Sequence, residues 1–400
     1  MGIVGKINKV ARWGKIWASQ FVHVDNIHCE AGNGTVLVIK LDAIGDFLIW
    51  LDSAKEFKRL FPDKKIYLMC GNACVDIAKH TGYFDEVITL NIKKFETESG
   101  YRKEKISEMK KYKFDILIQT AFSRTIHMDI LAASIPSHEK IGLTADESRS
   151  NLSRYITTKN TKKRLDSVYD RLIPVSSECM MEVRRNGELI KGLGKSDFLT
   201  GLPVLNKYEA DEKIIPTDNY YVLFPGASTP KKMWNIERFA EIADYIYQKT
   251  GWTGYVCGSR EEQYLFEQII KSKAPDTPVT DYFGKTTLLE LAEVIRNSRI
   301  VVSNDTSGIH FAAAVNAPSV CILGEYNYGR FLPYDYERTY PKDELKPMIV
   351  CHADMPCKRC ATGKITAECN QCMAMTGRYL CVDKITVNQV KEAVDKILNI

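Results

Sequence analysis

Carboxylates, cations and small polar residues crowd four short stretches of this 400-residue chain, and each stretch follows an apolar run. In "VLVIKLDAIGDFLIW", Val36 to Trp50, Asp42 and Asp46 flank Gly45 where a buried strand should hand over to a helix. A carboxylate there can cap the helix, a contribution of roughly 0.5–2 kcal/mol. It can equally take a proton from an attacking hydroxyl. The residues alone leave both roles open.

The second stretch is "FPGASTPKKMW", whose small residues leave backbone N–H groups accessible beside Lys231 and Lys232. In the third, "CGSREEQ", Glu261 and Glu262 stand at a helix start, where an acid can cap or can accept from a ribose diol. The fourth is "VVSNDTSGIHFAAAV". Its Thr306, Ser307 and Gly308 would offer N–H groups at a helix N-terminus, a ready anion site, and His310 could reach a phosphate oxygen. A lone histidine is often structural, but this one sits in a helix-start loop among small residues.

Two patterns are missing. No aspartates are separated by a single residue, so no Asp-x-Asp pair is available to hold a divalent ion on a diphosphate. Lys232 and the helix N-terminus would then have to neutralise such a group. Nor does a G-x-G-x-x-G follow the first strand, which argues against a dinucleotide oxidoreductase.

The elements that must position these stretches form two alternating series. Strand-like runs "TVLVIKL", "KIYLMCG", "DEVITL", "FDILIQT" and "EKIGLT" are spaced by helical segments. The second series is "YYVLFPGA", "TGYVCGS", "TDYFG", "SRIVVSND" and "PSVCILGE". Continuously apolar strands alternating with helices predict parallel sheets covered on both faces, an α/β chain of two Rossmann-like domains. The expected division is an extension over 1–34, a first domain over 35–205, a linker over 206–218 and a second domain over 219–400. The polar region from Asp146 to Leu202 reads as helices and loops. Ligands of open parallel sheets bind at the strands' carboxyl ends, so the two sheets are expected to face a central cleft.

Composition bounds the rest. With 45% hydrophobic and 26% charged residues and a net charge of +5, the chain reads as a globular protein without a nucleic-acid signature. No apolar run reaches the roughly 18–20 residues that span a bilayer. Lys6, Lys9, Arg12 and Lys15 lie opposite an apolar helical face in the first 21 residues. That describes an amphipathic helix for an anionic membrane face or for the protein's own core. Twelve cysteines without an export signal imply a reducing, cytoplasmic compartment. Six of them fall in a Cys-rich segment over 351–381. There Cys357-x-x-Cys360 and Cys369-x-x-Cys372 have the spacing of one tetrahedral Cys₄ zinc site. Such a site would be structural, because four thiolates leave no open position; free thiols or a disulfide are the alternatives.

"VLVIKLDAIGDFLIW", "FPGASTPKKMW", "GKTTLLELAEVIRNSRIVVSNDTSGIHFAAAVNAPSVCILG" and "CVDKITVNQVKEAV", in that order, resemble glycosyltransferase family 9, the heptosyltransferases of lipopolysaccharide core assembly. The resemblance runs from about Thr35 to the end of the chain. It implies a GT-B fold, an N-terminal acceptor domain and a C-terminal domain for a nucleotide-diphosphate sugar. The implied reaction is an inverting, metal-independent transfer at the cytoplasmic face of the inner membrane. It needs no catalytic cofactor, and its acceptor is a glycolipid or glycan. Carried over by position, Asp46 resembles the catalytic base, Ser228 and Lys232 the diphosphate contacts, and Glu262 the ribose contact. Asp305, Thr306, Ser307, Gly308 and His310 match the donor loop. Asp42 departs from the family's usual small polar residue, and the basic extension is additional. Two rival expectations are an epimerase acting on a nucleotide sugar alone and a non-catalytic protein that only binds one.

Overall fold

The computed structural model describes residues 25–144, 159–176, 180–229, 232–325, 327–335, 337, 344–355 and 379–400. The basic N-terminal stretch expected to form an amphipathic helix and Cys357, Cys360, Cys369 and Cys372 lie outside the described residues.

Two six-stranded sheets form, both wholly parallel. The first comprises β1 (Thr35–Lys40), β2 (Lys65–Gly71), β3 (Glu86–Leu90), β4 (Phe114–Gln119), β5 (Ser137–Leu143) and β6 (Arg171–Ile173), in the order β3-β2-β1-β4-β5-β6. The second comprises β7 (Tyr220–Phe224), β8 (Thr253–Val256), β9 (Val279–Asp281), β10 (Ile300–Asn304), β11 (Ser319–Ile322) and β12 (Met348–Cys351), in the order β12-β11-β10-β7-β8-β9. Central strands are apolar on both faces because helices cover both. All five residues of β7 and of β10 are buried. β6 and β12 were not anticipated, since each is a short edge strand with no long apolar run to announce it.

Helix boundaries follow local chemistry. The helix Ile236–Thr250 is capped by Asn235, whose side chain accepts the Glu237 N–H, and ends on Gly251 in the left-handed conformation at φ 70°. It buries Phe239, Ala240, Ala243 and Ile246 at helical spacing. The helix Val387–Leu398 opens with a capping box of Thr386 and Gln389 and buries Val390, Ala393, Val394 and Ile397. Both press on β7, β10 and β11, whose Leu223, Val302 and Val320 fill the same core. Each such fully buried side chain contributes about 1.5–3 kcal/mol. The core of the first sheet gathers Leu37, Ile39, Met69, Phe114, Leu117 and Leu131.

The chain forms two compact units. One holds Met1–Ala43, Ser53–Glu178 and Arg185–Phe198; the other holds Ile44–Asp52, Cys179–Arg184 and Leu199–Ile400. The start of the helix Ile44–Ala54, with Asp46 in its first turn, thus groups with the second sheet although it follows β1. Buried Asp52 accepts the N–H of Gly201 at 2.6 Å within that unit.

Candidate active site

In the second sheet the strand order reverses between β7 and β10, and ligands of such sheets bind outside the carboxyl ends at that point. The loop after β7 carries Ser228 and leads to Lys232; the loop after β10 carries Asp305 to Gly308. Asn304, fully buried at the end of β10, ties the two together. Its Nδ2 donates to the carbonyl of Pro225 at 2.6 Å, and its Oδ1 accepts the N–H of Trp234 at 3.1 Å. One amide therefore holds both ends of the first loop.

Lys232 Nζ donates to Asp305 Oδ2 at 3.0 Å, with both side chains largely buried. Asn327 Nδ2 donates to the same oxygen. Asp305 is thereby held from two sides, and the cation is held ready next to the loop. Ser228 is exposed on that loop, and the N–H of Lys232 returns to the Thr229 carbonyl at 3.0 Å. Trp234 is core: it is 1% exposed and its Nε1 donates to the Ile385 carbonyl.

Thr306 is the N-cap of the helix Ser307–Ala314 and makes no side-chain cap bond, so the first-turn N–H groups are left to other acceptors. A β-carbon on Gly308 would stand 2.6 Å from the Phe224 ring, so glycine lets this helix start sit on the end of β7. His310, one turn in, is buried. Burial pulls its pKa down to about 4; Asp305 opposes this and Lys232 adds to it. The imidazole is therefore neutral near pH 7. Its Nδ1 meets the Tyr334 hydroxyl at 2.5 Å. Its opposite edge faces Gly45, where an added β-carbon would lie 2.9 Å from Cδ2 and 3.6 Å from Nε2. Gly45 is what lets the Asp46 turn come this close to His310 and the loop after β10.

Asp46 is half-buried in the first turn of the helix Ile44–Ala54. Asp42 instead pairs with Lys40 at 2.7 Å, the lysine side chain being 5% exposed, which ties it to the end of β1. Glu262 closes a capping box at Arg260–Glu262, its Oε2 accepting the Ser259 N–H at 2.9 Å. Its Oε1 lies against Gly226, where a β-carbon would fall only 2.2 Å away. The carboxylate therefore reaches the loop after β7 while capping its own helix start. The structure brings Lys232, Asp305, the helix start at Thr306–Gly308, His310 and the Asp46 turn into one compact unit.

Sequence reasoning missed Asn304, Asn327 and Tyr334. A buried Asn at the end of an apolar strand was a usable signal for the first, since a buried amide needs partners. "EYNYGRFLPYD" has no periodicity that could have marked the other two. Among the described residues no cluster of three or more His, Cys, Asp or Glu could hold a metal, and no helix is long and apolar enough to cross a membrane. Cys29, Cys70, Cys74, Cys257, Cys321, Cys351 and Cys381 are free thiols.

The sequence profile of glycosyltransferase family 9 (heptosyltransferase) matches residues 109–355, which takes in both loops after β7 and β10 but begins beyond Asp46. Lipooligosaccharide heptosyltransferase 2 of Haemophilus influenzae is 24% identical over 300 residues, covering 72% of this chain and 83% of the relative. Among solved structures, the Escherichia coli ADP-heptose lipopolysaccharide heptosyltransferase II superposes with a TM-score of 0.62 at 18% identity, covering 91% of this chain and 98% of that one. The iron-containing dodecameric glycosyltransferase TibC of enterotoxigenic Escherichia coli gives a TM-score of 0.54 at 14% identity, covering 94% and 78%. These structures share the GT-B fold.

Proposed function

The chain belongs to glycosyltransferase family 9, and from that premise we propose that it moves a heptose from ADP-heptose to a hydroxyl of a lipopolysaccharide core or related glycan. The transfer inverts the anomeric carbon and uses no catalytic metal. The acceptor oxygen attacks the anomeric carbon as the bond to the diphosphate oxygen breaks, and Asp46 takes the acceptor's proton. A carboxylate is a weak base for an alcohol, so proton transfer and departure of ADP are concerted.

Charge developing on the leaving diphosphate is met by Lys232, which shares itself between Asp305 and the phosphates. The N–H groups at Ser307 and Gly308 and the neutral N–H of His310 add to it. Ser228 contributes a hydroxyl, and Glu262 accepts from the ribose. The absence of an Asp-x-Asp pair fits a diphosphate neutralised by protein groups alone.

The observation that carries the reading is the packing of His310 on Gly45. It supports a base on one side of His310 and an anion-binding helix start on the other. The relatives' names support a lipopolysaccharide or lipooligosaccharide acceptor, and the basic N-terminal segment supports the cytoplasmic face of the inner membrane. The two Cys-x-x-Cys pairs would hold a structural metal; four thiolates suit zinc and iron alike, and one structural neighbour is an iron-containing glycosyltransferase.

The test is Asp46→Asn, nearly isosteric, assayed with ADP-heptose and a heptose-deficient core acceptor. Turnover should fall about 10²–10⁴-fold while ADP affinity and melting temperature hold. Near-normal turnover would return Asp46 to helix capping.

A further inference from the structure

Tyr334 lies between β11 and β12, outside every motif singled out in the sequence, and its hydroxyl stands 2.5 Å from Nδ1 of His310. We propose that Tyr334 is a positioning residue. By donating its proton to Nδ1 it holds His310 as the Nε2–H tautomer, which presents a neutral hydrogen-bond donor beside the Gly45–Asp46 turn. The recipient, a phosphate or sugar oxygen of the bound nucleotide sugar, rests on the function proposed above; the tautomer does not.

The argument counts protons. Burial keeps the imidazole neutral, with one N–H, and pushes the Tyr334 phenol well above its ordinary value, so it keeps its own proton. Two hydrogens are shared across one short contact. If Nδ1 carried the ring proton and donated to the phenol oxygen, the hydroxyl hydrogen would need a second acceptor. Among the described residues the partner found for that hydroxyl is Nδ1. The O–H therefore donates, Nδ1 accepts, and the ring proton goes to Nε2.

The ring is also held against turning over. Phe331 and Tyr334 both stand with ring centroids 6.0 Å from the imidazole, and the Cδ2–Nε2 edge faces Gly45. Asp305, the nearest carboxylate on the same loop, is engaged by Lys232 and Asn327. It does not compete for the imidazole proton in this arrangement. The hydroxyl of Tyr334 is thus the group that decides which nitrogen faces the site.

The test uses the full chain with ¹⁵N-labelled histidine side chains, read by long-range ¹H–¹⁵N correlation near neutral pH without ligand; loss of a signal in His310→Gln identifies the residue. A pyrrole-type Nε2 and a pyridine-type Nδ1 are expected in the wild type. A protonated Nδ1 overturns the proposal, whatever the variants do. Tyr334→Phe removes only the hydroxyl and should convert the single pattern to a mixture of tautomers. Turnover with ADP-heptose should fall about five- to tenfold, the worth of one neutral hydrogen bond. A Tyr334→Phe protein that keeps the wild-type pattern refutes the role of Tyr334. Because the spectra need no substrate, the expected signature together with a failure to use ADP-heptose would sink the donor reading and leave the tautomer assignment standing.

Discussion

Replacing Gly45 by alanine adds one carbon 2.9 Å from Cδ2 of His310. Carbon atoms settle at about 3.5–4.0 Å, so one side must yield by about 0.6 Å or more. The imidazole is a poor candidate to yield. It is 4% exposed, and Nδ1 is anchored on Tyr334 at 2.5 Å. Overpacking of this kind costs about 1–3 kcal/mol. Alanine for glycine within a helix returns roughly 0.5–1 kcal/mol. The net is a destabilisation of about 0–2.5 kcal/mol, which lowers the melting temperature by no more than about 10 °C. Activity should suffer more. A displacement near 1 Å can cost about 10²-fold in a site that depends on alignment, so turnover should fall about 10–100-fold. Gly100 supplies the control. It is also the second residue of its helix, Ser99–Met109, and nothing lies within 4 Å of a β-carbon added there. Gly100→Ala should leave both quantities unchanged or slightly raise the melting temperature. Transfer assays and thermal unfolding of the two variants side by side read the difference. Gly45→Ala with wild-type turnover and stability would show that the His310 contact does not constrain the site.

Lys232→Met removes the cation expected to meet the diphosphate, and ADP affinity by calorimetry should weaken about 10–100-fold, the range for a lost charge-assisted bond; unchanged affinity would exclude that role. Burial depresses His310 and His127 to about 4 each, so the unfolded chain binds their protons first as pH falls below about 6.5. Stability is full above that pH and declines toward pH 4 by up to about 3 kcal/mol per histidine; urea unfolding at pH 7.5 and 5 should show the loss, and His127→Gln should reduce it. Asp115 acts lower on the scale: Lys64 and the N–H groups of Gly32 and Asn33 hold its carboxyl below the ordinary range against burial, so its contribution is present above about pH 4 and lost only under stronger acid. Metal analysis of purified protein should find about one equivalent of zinc or iron, and Cys357→Ser or Cys372→Ser should lower the melting temperature while sparing ADP affinity; metal-free protein of unchanged stability would remove the Cys₄ site.

Periodicity was enough to read the two parallel sheets. A strand covered by helices on both faces must be apolar throughout, and that shows within a window of a few residues, as in "TVLVIKL" and "SRIVVSND". The loops after β7 and β10 were legible for a related reason: small residues and helix-start chemistry recur where a parallel strand turns into its helix. The edge strands β6 and β12 were not, because three or four residues at a sheet margin carry too little pattern. The polar cross-ties were hidden more deeply. Asn304 finds its partner 79 residues away at Pro225, Asp305 finds Lys232 73 residues away, and His310 meets both Tyr334 and Gly45. Local propensity sees only neighbours along the chain, whereas these pairs are chosen by which strand ends the sheet order sets side by side. The same holds for the Asp46 turn. Its residues announce a helix start after β1, and only tertiary packing decides that this start joins the unit holding His310.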